Sequence, residues 1–423
     1  MSRGLRAGVQ YCLDGVERQL RTLFFAAFLP IWAQWLQDQA DAIDRDQGPP
    51  PGYHRAGRRL RHVQGFFGWV GLERDYYYDG TRGFVPADRA LGLVGSYTPD
   101  LAYLLALAAA LEPFEAAQQL LERFSGIQVV GRQIQRLMAI VGPAAQAWVR
   151  PTPQTEAAPV FYVSFDGTGV PIVSRELRGR KGKQSDGTAK TREAKLGCVF
   201  TQHSRDDKGR PVRTPASTTY VGSFQTAAEF GARIRQEAQR RGMACAKVVV
   251  VIVDGAKWTA ELARTHFPTA ILILDFYHAL VHLHALAEAL EGKDTPAKKQ
   301  LVSRWKKLLL KDQVGQVIAQ ARQMGQHHQA NAEAIEQEIG YLENHSAWMR
   351  YGTYRRAGYL IGSGVIEAGC KTVVGERLKC SGMHWTEAGA SHVLALRCLV
   401  LSDLFDTFWT DFIRSRTAET GRA

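Results

Sequence analysis

Three acidic residues stand where backbone and neighbours suit work on a charged substrate. Asp166 closes the apolar run Val160–Phe165 and is followed by Gly-Thr-Gly; Asp254 closes Lys247–Val253 and is followed by Gly-Ala-Lys-Trp. In open sheets of buried strands, ligands sit beyond the carboxyl ends of the strands. One such aspartate can be a helix or turn cap, but two at equivalent positions argue for a shared site. Glu367, in GSGVIEAGCK, follows Gly362-Ser363-Gly364, where Ser363 can cap a helix. Carboxylate oxygens suit Mg²⁺ or Mn²⁺, and two such ions about 4 Å apart promote phosphoryl transfer. Asp166, Asp254 and Glu367 are therefore the expected ligands of two Mg²⁺ ions, with Mn²⁺ as a substitute. Taken alone, Glu367 also reads as a surface acid paired with Lys371 at i+4.

Other residues would support that chemistry. Asp275 and His278 follow the buried run Ala270–Leu274. His278 could position a phosphate or shuttle a proton, and Asp275 could orient a bound water or cap the next helix. His278 and His282 have the i,i+4 spacing of a zinc pair, but no HExxH glutamate or third ligand accompanies them. Residues 175–195 carry eight Lys/Arg against three Asp/Glu, with three glycines. This segment reads as a phosphate-gripping loop in which Arg178, Arg180, Lys181 and Lys183 contact DNA, or as a solvated loop. Lys371, Arg377 and Lys379 could hold phosphates beside Glu367. Trp385 could stack on a splayed base or fill a core. The basic stretch KDTPAKKQLVSRWKKLLLKD is a further DNA-facing helix.

Elements must carry these side chains. Val160–Phe165, Lys195–His203 and Pro211–Val221 read as strands, Phe224–Arg241 as an amphipathic helix, and Lys247–Val253 and Ala270–Leu274 as buried strands separated by the short helix Lys257–Thr265. A helical stretch follows from about residue 278 to 354, and helices resume from Ser363. The order argues for an α/β domain, a mixed sheet with helices on its faces. Upstream, DQGPPPGYHRAGRR breaks the chain after an N-terminal helix, and the aromatic segment Phe66–Asp88 suits short strands. PFEAAQQLLERF and VVGRQIQRLMAIVG, joined at Ser125–Gly126, suit a helix-turn-helix that presents Arg132, Gln133, Gln135 and Arg136 to DNA, or a plain helical hairpin. GPAAQAWVRPTPQTEAAP reads as a linker. The expected division is 1–98, 99–150 (DNA-binding), 160–282 (first part of the catalytic core), 283–358 (helical insertion) and 359–423 (acidic helix and C-terminal helices).

Composition narrows the function. The 423 residues are 45% hydrophobic and 22% charged, with a net charge of +12, which favours an anionic partner such as nucleic acid. Six scattered cysteines without a CxxC pair exclude a disulfide scaffold or zinc ribbon and fit a reducing compartment. The charged N-terminus is unlike a signal peptide, and the apolar run Leu23–Leu36 is too short to span a bilayer. No membrane association is expected.

The strings FDGTGVPIV, VDGAKW, LDFYHALVHL and GSGVIEAGCKTVVGERLKCSGMHW, in that order, resemble DDE-type transposases of bacterial insertion sequences, most closely the ISKra group. The resemblance runs from about Phe84 to Phe408 and includes PADRALGL and PFEAAQQLL. It implies an RNase H-like catalytic fold interrupted by a helical insertion, with Asp166, Asp254 and Glu367 as the metal-binding triad. It implies binding to terminal inverted repeats, strand cleavage and strand transfer, a homodimer or larger assembly on double-stranded DNA, and a cytoplasmic, nucleoid-associated location. Relatives often carry a CxxC-type zinc site ahead of PxD. Here the segment is YYYDGTRGFVPAD, so this region is expected to pack without metal around Tyr76, Tyr77, Tyr78 and Phe84. FDGT also resembles the DxDGT motif of haloacid-dehalogenase-type phosphatases, but the nucleophile position holds Ser164. A nuclease of the same fold that never joins strands, and an inactive DNA-binding regulator, are the nearest alternatives.

Overall fold

The computed structural model describes residues 15–153, 157–182, 184, 187–326 and 329–418. The chain divides into two compact units, one formed by the residues up to Ala144 together with those from Asp406 on, the other by Ala145–Phe405. The expected grouping of 359–423 is therefore split, because the C-terminal helix Phe405–Ala418 joins the first unit, where the Tyr103 hydroxyl donates to Asp406 Oδ1 at 2.6 Å.

In the first unit a 31-residue helix, α1 (Val16–Asp46), lies on an antiparallel sheet of β1 (His54–Gly65), β2 (Gly68–Tyr78) and β3 (Gly83–Phe84). The basic run after the three prolines is thus a strand, not part of a break. Three of its arginines, Arg55, Arg58 and Arg61, are held by Asp75, Asp41 and Asp88. Leu36 and Ala40 of α1 pack on Val63, Val70, Leu72, Ala87 and Leu93. That set forms the core in place of the expected tyrosine cluster: Tyr77 and Phe84 are buried, but Tyr78 is 41% exposed. Helices α2 (Pro86–Ala90), α3 (Pro99–Leu111), α4 (Phe114–Ser125) and α5 (Gly131–Ala147) follow. The α5 helix runs on through Gly142 and Pro143, which the sequence had assigned to the linker. A Cβ on Gly131 would lie 3.3 Å from the Phe114 backbone, so glycine permits the close approach of α5 to the start of α4.

The second unit is built on a five-stranded mixed sheet. It comprises β4 (Val160–Pro171), β5 (Thr191–Gln202), β8 (Thr219–Ser223), β9 (Val248–Val253) and β10 (Ile271–Leu274), in spatial order β10-β9-β4-β5-β8. A two-stranded ribbon, β6 (Ser204–Arg205) with β7 (Pro211–Val212), extends the turn after β5. The third expected strand is therefore two, interrupted before Thr219. Strand β5 runs antiparallel to β4 and to β8, whereas β9 and β10 are parallel to β4. The parallel strands are reached through α7 (Ala227–Arg240) and α8 (Lys257–His266); a capping box, Thr226 with Glu229, fixes the start of α7.

Alternation along the strands divides the sheet into two faces. Phe161, Val163, Phe165, Val199, Val251 and Val253 face α7 and α8, packing with Phe230, Ile234 and Leu262. The other parity, which includes Ser164 and Asp166, faces a second helical layer: α14 (Gly364–Gly369), a π-helical turn (Cys370–Gly375), α15 (Glu376–Leu378) and α16 (Glu387–Val400). Gly369 abuts Leu196 and Tyr220, and Gly222 abuts Leu394. Between β10 and that layer lie α9 (Phe276–Glu291), α10 (Pro296–Leu309), α11 (Val314–Gly325), α12 (Ala332–His345) and α13 (Tyr351–Ala357).

Candidate functional site

The pairing of β4 with β9 sets the geometry of the two aspartates. Every paired residue differs in number by 88, from Val160↔Val248 to Ser164↔Ile252, and Asp166 and Asp254 differ by the same 88. Each stands two residues beyond the last pair, Asp166 within β4 and Asp254 directly after β9. Both share the parity of Ser164 and Ile252, so they emerge on the face covered by α14.

Glu367 reaches that face through a chain of hydrogen bonds. Asp275 is 1% exposed and caps α9, its Oδ1 accepting from His278 N at 2.5 Å. Its Oδ2 accepts from Ser363 N, and Phe276 N donates to Ile361 O at 2.9 Å. The Ser363 hydroxyl then donates to Glu367 Oε1 at 2.7 Å. Through these two bonds Asp275 is a cap of α9 and a tether of Ser363. The π-helical turn directly after α14, a distortion often found at functional sites, brings Cys370 Sγ to 3.7 Å from Asp166 Oδ2.

The electrostatics agree with this convergence. Burial holds the Asp166 carboxyl above its ordinary range; the Gly167 N–H opposes that at 2.6 Å, and the negative charges of Asp254 and Glu367 add to it. Burial, then the neighbouring Asp166 charge, pushes the Cys370 thiol up, so it stays a donor. Asp254 Oδ1 accepts from Ala256 N at 3.0 Å and from the Thr259 hydroxyl at 2.8 Å. Asp254 Oδ2 and Glu367 Oε2 take no hydrogen bond from the described residues. These are hard oxygen donors, and their chemistry fits Mg²⁺ or Mn²⁺. Among the described residues, no group of three His, Cys, Asp or Glu side chains is gathered closely enough to hold a metal ion.

The remaining expected residues divide between surface and core. Arg132, Gln135 and Arg136 are exposed and Gln133 half-buried on α5. Arg178, Arg180 and Lys181 are exposed just past α6 (Ser174–Leu177), in a hairpin where Ala189 N donates to Arg180 O at 3.1 Å; Lys183 lies outside the described residues. Lys371 is exposed, and Lys379 donates to the Thr168 hydroxyl two residues beyond Asp166. Two expectations need correction. Arg377 is 0% exposed, its guanidinium 5.1 Å from the centre of the Trp385 ring, and cannot reach a phosphate. Trp385 is 7% exposed, donates from Nε1 to Leu378 O at 3.1 Å and bridges to the end of β4, so it packs rather than stacks on a base. His278 is half-buried, its ring 5.2 Å from that of His282, and His282 is engaged by Glu338 at 2.7 Å rather than paired with it on a metal. Sequence reading missed Cys370, Thr259, Tyr341 and His345; the last two contact the Asp254 turn from α12, and no local pattern marks them.

The chain is similar to a UPF0236 protein over nearly its whole length. That relative, described as a UPF0236 protein in the vanSb 3′ region of Streptococcus gallolyticus, is 25% identical over 418 residues, covering 96% of this chain and 86% of its own. Among solved structures, the Drosophila P element transposase strand transfer complex matches at 10% identity with a TM-score of 0.25, covering 74% of this chain and 82% of that one; a likeness at that score carries no argument. No protein-family model matches. No single helix among the described residues is long and apolar enough to cross a membrane.

Proposed function

We propose that this chain is a DNA transposase of the DDE type, which binds the ends of its mobile element and cuts and joins strands at Asp166, Asp254 and Glu367. The observation that carries the reading is that the charges of Asp254 and Glu367 both reach Asp166 and raise its proton affinity, with Asp166 and Asp254 at matching distances beyond the β4–β9 pairs. The strand order β10-β9-β4-β5-β8, with β4 central and a helical stretch ahead of the acidic helix, supports an RNase H-like core. The sequence resemblance to the ISKra group points the same way.

Each residue has a task in this reading. Asp166, Asp254 and Glu367 would hold Mg²⁺ or Mn²⁺, which when bound supplies charge neutralisation at the phosphate and an activated oxygen nucleophile. Ser363 orients Glu367. Lys379 and Lys371 offer cations to the phosphates flanking the scissile bond. His278, in the first turn of α9 after Asp275, would orient a phosphate or pass a proton. Arg178, Arg180 and Lys181 grip the DNA backbone, and Arg132, Gln133 and Arg136 on α5 read the element end. Water attacks the phosphodiester at the element end and frees a 3′-hydroxyl; that hydroxyl then displaces a target-strand oxygen in line, without a covalent enzyme intermediate. Two ends are processed together, so the working assembly is a homodimer or larger.

The test is strand cleavage of duplexes that carry the inverted repeats flanking the reading frame, in Mg²⁺. Wild type should cut and join; Asp166→Asn should bind the same DNA and do neither. Cutting by Asp166→Asn overturns the triad. Cutting by wild type without joining makes the protein a nuclease, and binding without cutting makes it a regulator.

A further inference from the structure

The carbonyls that follow β9 leave the sheet without strand partners. Asp275 N donates to Val253 O at 2.7 Å, the last such bond on that side. The next two carbonyls, those of Asp254 and Gly255, are received by α12, nearly 90 residues away in sequence. The Tyr341 hydroxyl donates to Asp254 O at 3.0 Å, and His345 Nε2 lies 3.1 Å from Gly255 O. His345 Nδ1 lies 2.7 Å from Tyr341 O, one turn back on the same helix. Both ring nitrogens thus face carbonyl oxygens, and the tautomer with its hydrogen on Nε2 donates to Gly255 O and ties the turn to α12.

The turn is shaped for this contact. Gly255 has φ +86°, and a Cβ there would stand 2.5 Å from the Tyr341 hydroxyl and 2.9 Å from Leu274 Cδ1. Only glycine permits both the conformation and the approach. The donor is itself held, since the Tyr341 ring stacks on His282 at 3.5 Å between centroids and 14° between planes, and His282 is anchored to Glu338. On its other side the turn is fixed by its own side chain, through Asp254 Oδ1 with Ala256 N and Thr259. The Asp254 backbone is therefore clasped from the insertion, while its side chain is aimed from α8.

We infer that Tyr341 and His345 are positioning residues that set the Asp254 carboxylate against Asp166, which makes the helical insertion part of the site and not only a DNA-binding appendage. The inference rests on the proposed role of Asp254 as a metal-holding residue. Groups that orient a ligand from behind typically change metal affinity about 10-fold or more when removed. Tyr341→Phe removes one oxygen and keeps the ring on His282. His345→Ala removes the second donor, and His345→Gln keeps an N–H that can reach a carbonyl.

The experiment is Mn²⁺ binding to the full chain without DNA, followed by calorimetry well below the melting temperature, with Asp254→Asn as reference. The expected result is that Asp254→Asn abolishes binding, Tyr341→Phe and His345→Ala weaken it about 10-fold, and His345→Gln recovers most of the loss. Because affinity is read on folded protein, a role in stability alone lowers the melting temperature and leaves the isotherm unchanged. Wild-type isotherms for Tyr341→Phe and His345→Ala, beside a lost signal for Asp254→Asn, overturn the clasp and leave the triad standing. An unchanged isotherm for Asp254→Asn overturns the triad reading and the clasp with it.

Discussion

At the scale of single residues, the site is a cluster of like charges kept in place by surrounding structure. Asp166 shows what this costs: burial, and then the charges of Asp254 and Glu367, raise its proton affinity against the pull of the Gly167 N–H. A carboxyl whose folded-state pKa lies above its unfolded value destabilises the fold once it ionises, and the penalty fades as pH falls through the folded pKa. Asp166→Asn should therefore raise the melting temperature at pH 7.5 in EDTA by roughly 1–3 °C, the size of shift that follows from about 1 kcal/mol in a domain of this length. The gain should shrink as pH falls and wild-type Asp166 takes up its own proton. Added Mg²⁺ should stabilise wild type and not the variant. A thermal melt series over pH and Mg²⁺ checks all three, and a lower melting temperature for Asp166→Asn at pH 7.5 contradicts the electrostatic account.

At the scale of elements, Glu367 depends on the segment that delivers it. Residues 358–363 are pinned at several points. Gln202 Nε2 donates to Gly358 O at 3.0 Å, Leu360 N donates to the Tyr162 hydroxyl at 3.0 Å, and Asp275 receives Ser363 N. Tyr162 is fully buried in β4 and passes its own proton to Gln202 Oε1 at 2.6 Å. Tyr162→Phe strands the Leu360 N–H and the Gln202 oxygen away from water, and should destabilise the protein by about 1–3 kcal/mol. Urea titration should show that loss at an unchanged m value, together with weaker cleavage, because the register of Glu367 loosens. This dependence also explains what could be read in the sequence. Asp166 and Asp254 were legible because each follows a β-rich run, a local feature, although β4 continues through Asp166 to Pro171 and does not end there. Glu367 was legible only through its motif, since α14 is six residues long and breaks into a π-helical turn that periodicity does not announce. Arg377 and Trp385 were misread because KTVVGERLK has the charge density of a solvated face, whereas the fold turns Arg377 inward onto the tryptophan ring. Tyr341 and His345 escaped notice because their partners lie 87 and 90 residues away.

At the scale of the whole molecule, a net charge of +12 does not by itself assign a surface to the proposed DNA, because many of the arginines are already committed. Arg55, Arg74 and Arg240 are paired with acids, and Arg397 is 3% exposed and donates to Thr372 O. Arg178, Arg180 and Lys181 are exposed, on a hairpin that follows β4 and α6. If they contact phosphates, each releases about one counterion on binding, and the slope of log K against log salt carries about 0.9 per contact on duplex DNA. The triple change Arg178→Ala, Arg180→Ala, Lys181→Ala should therefore flatten the slope by about 2 to 3 and weaken binding to all duplexes alike, without altering preference among them. Arg377→Ala should behave in the opposite manner, lowering the melting temperature while the folded fraction keeps the wild-type slope, because a guanidinium shut against Trp385 has no counterion to release. Fluorescence anisotropy on one random duplex across 50–300 mM salt separates the two cases. An unchanged slope in the triple variant makes the hairpin a solvated loop and moves the phosphate grip to α5 and the insertion.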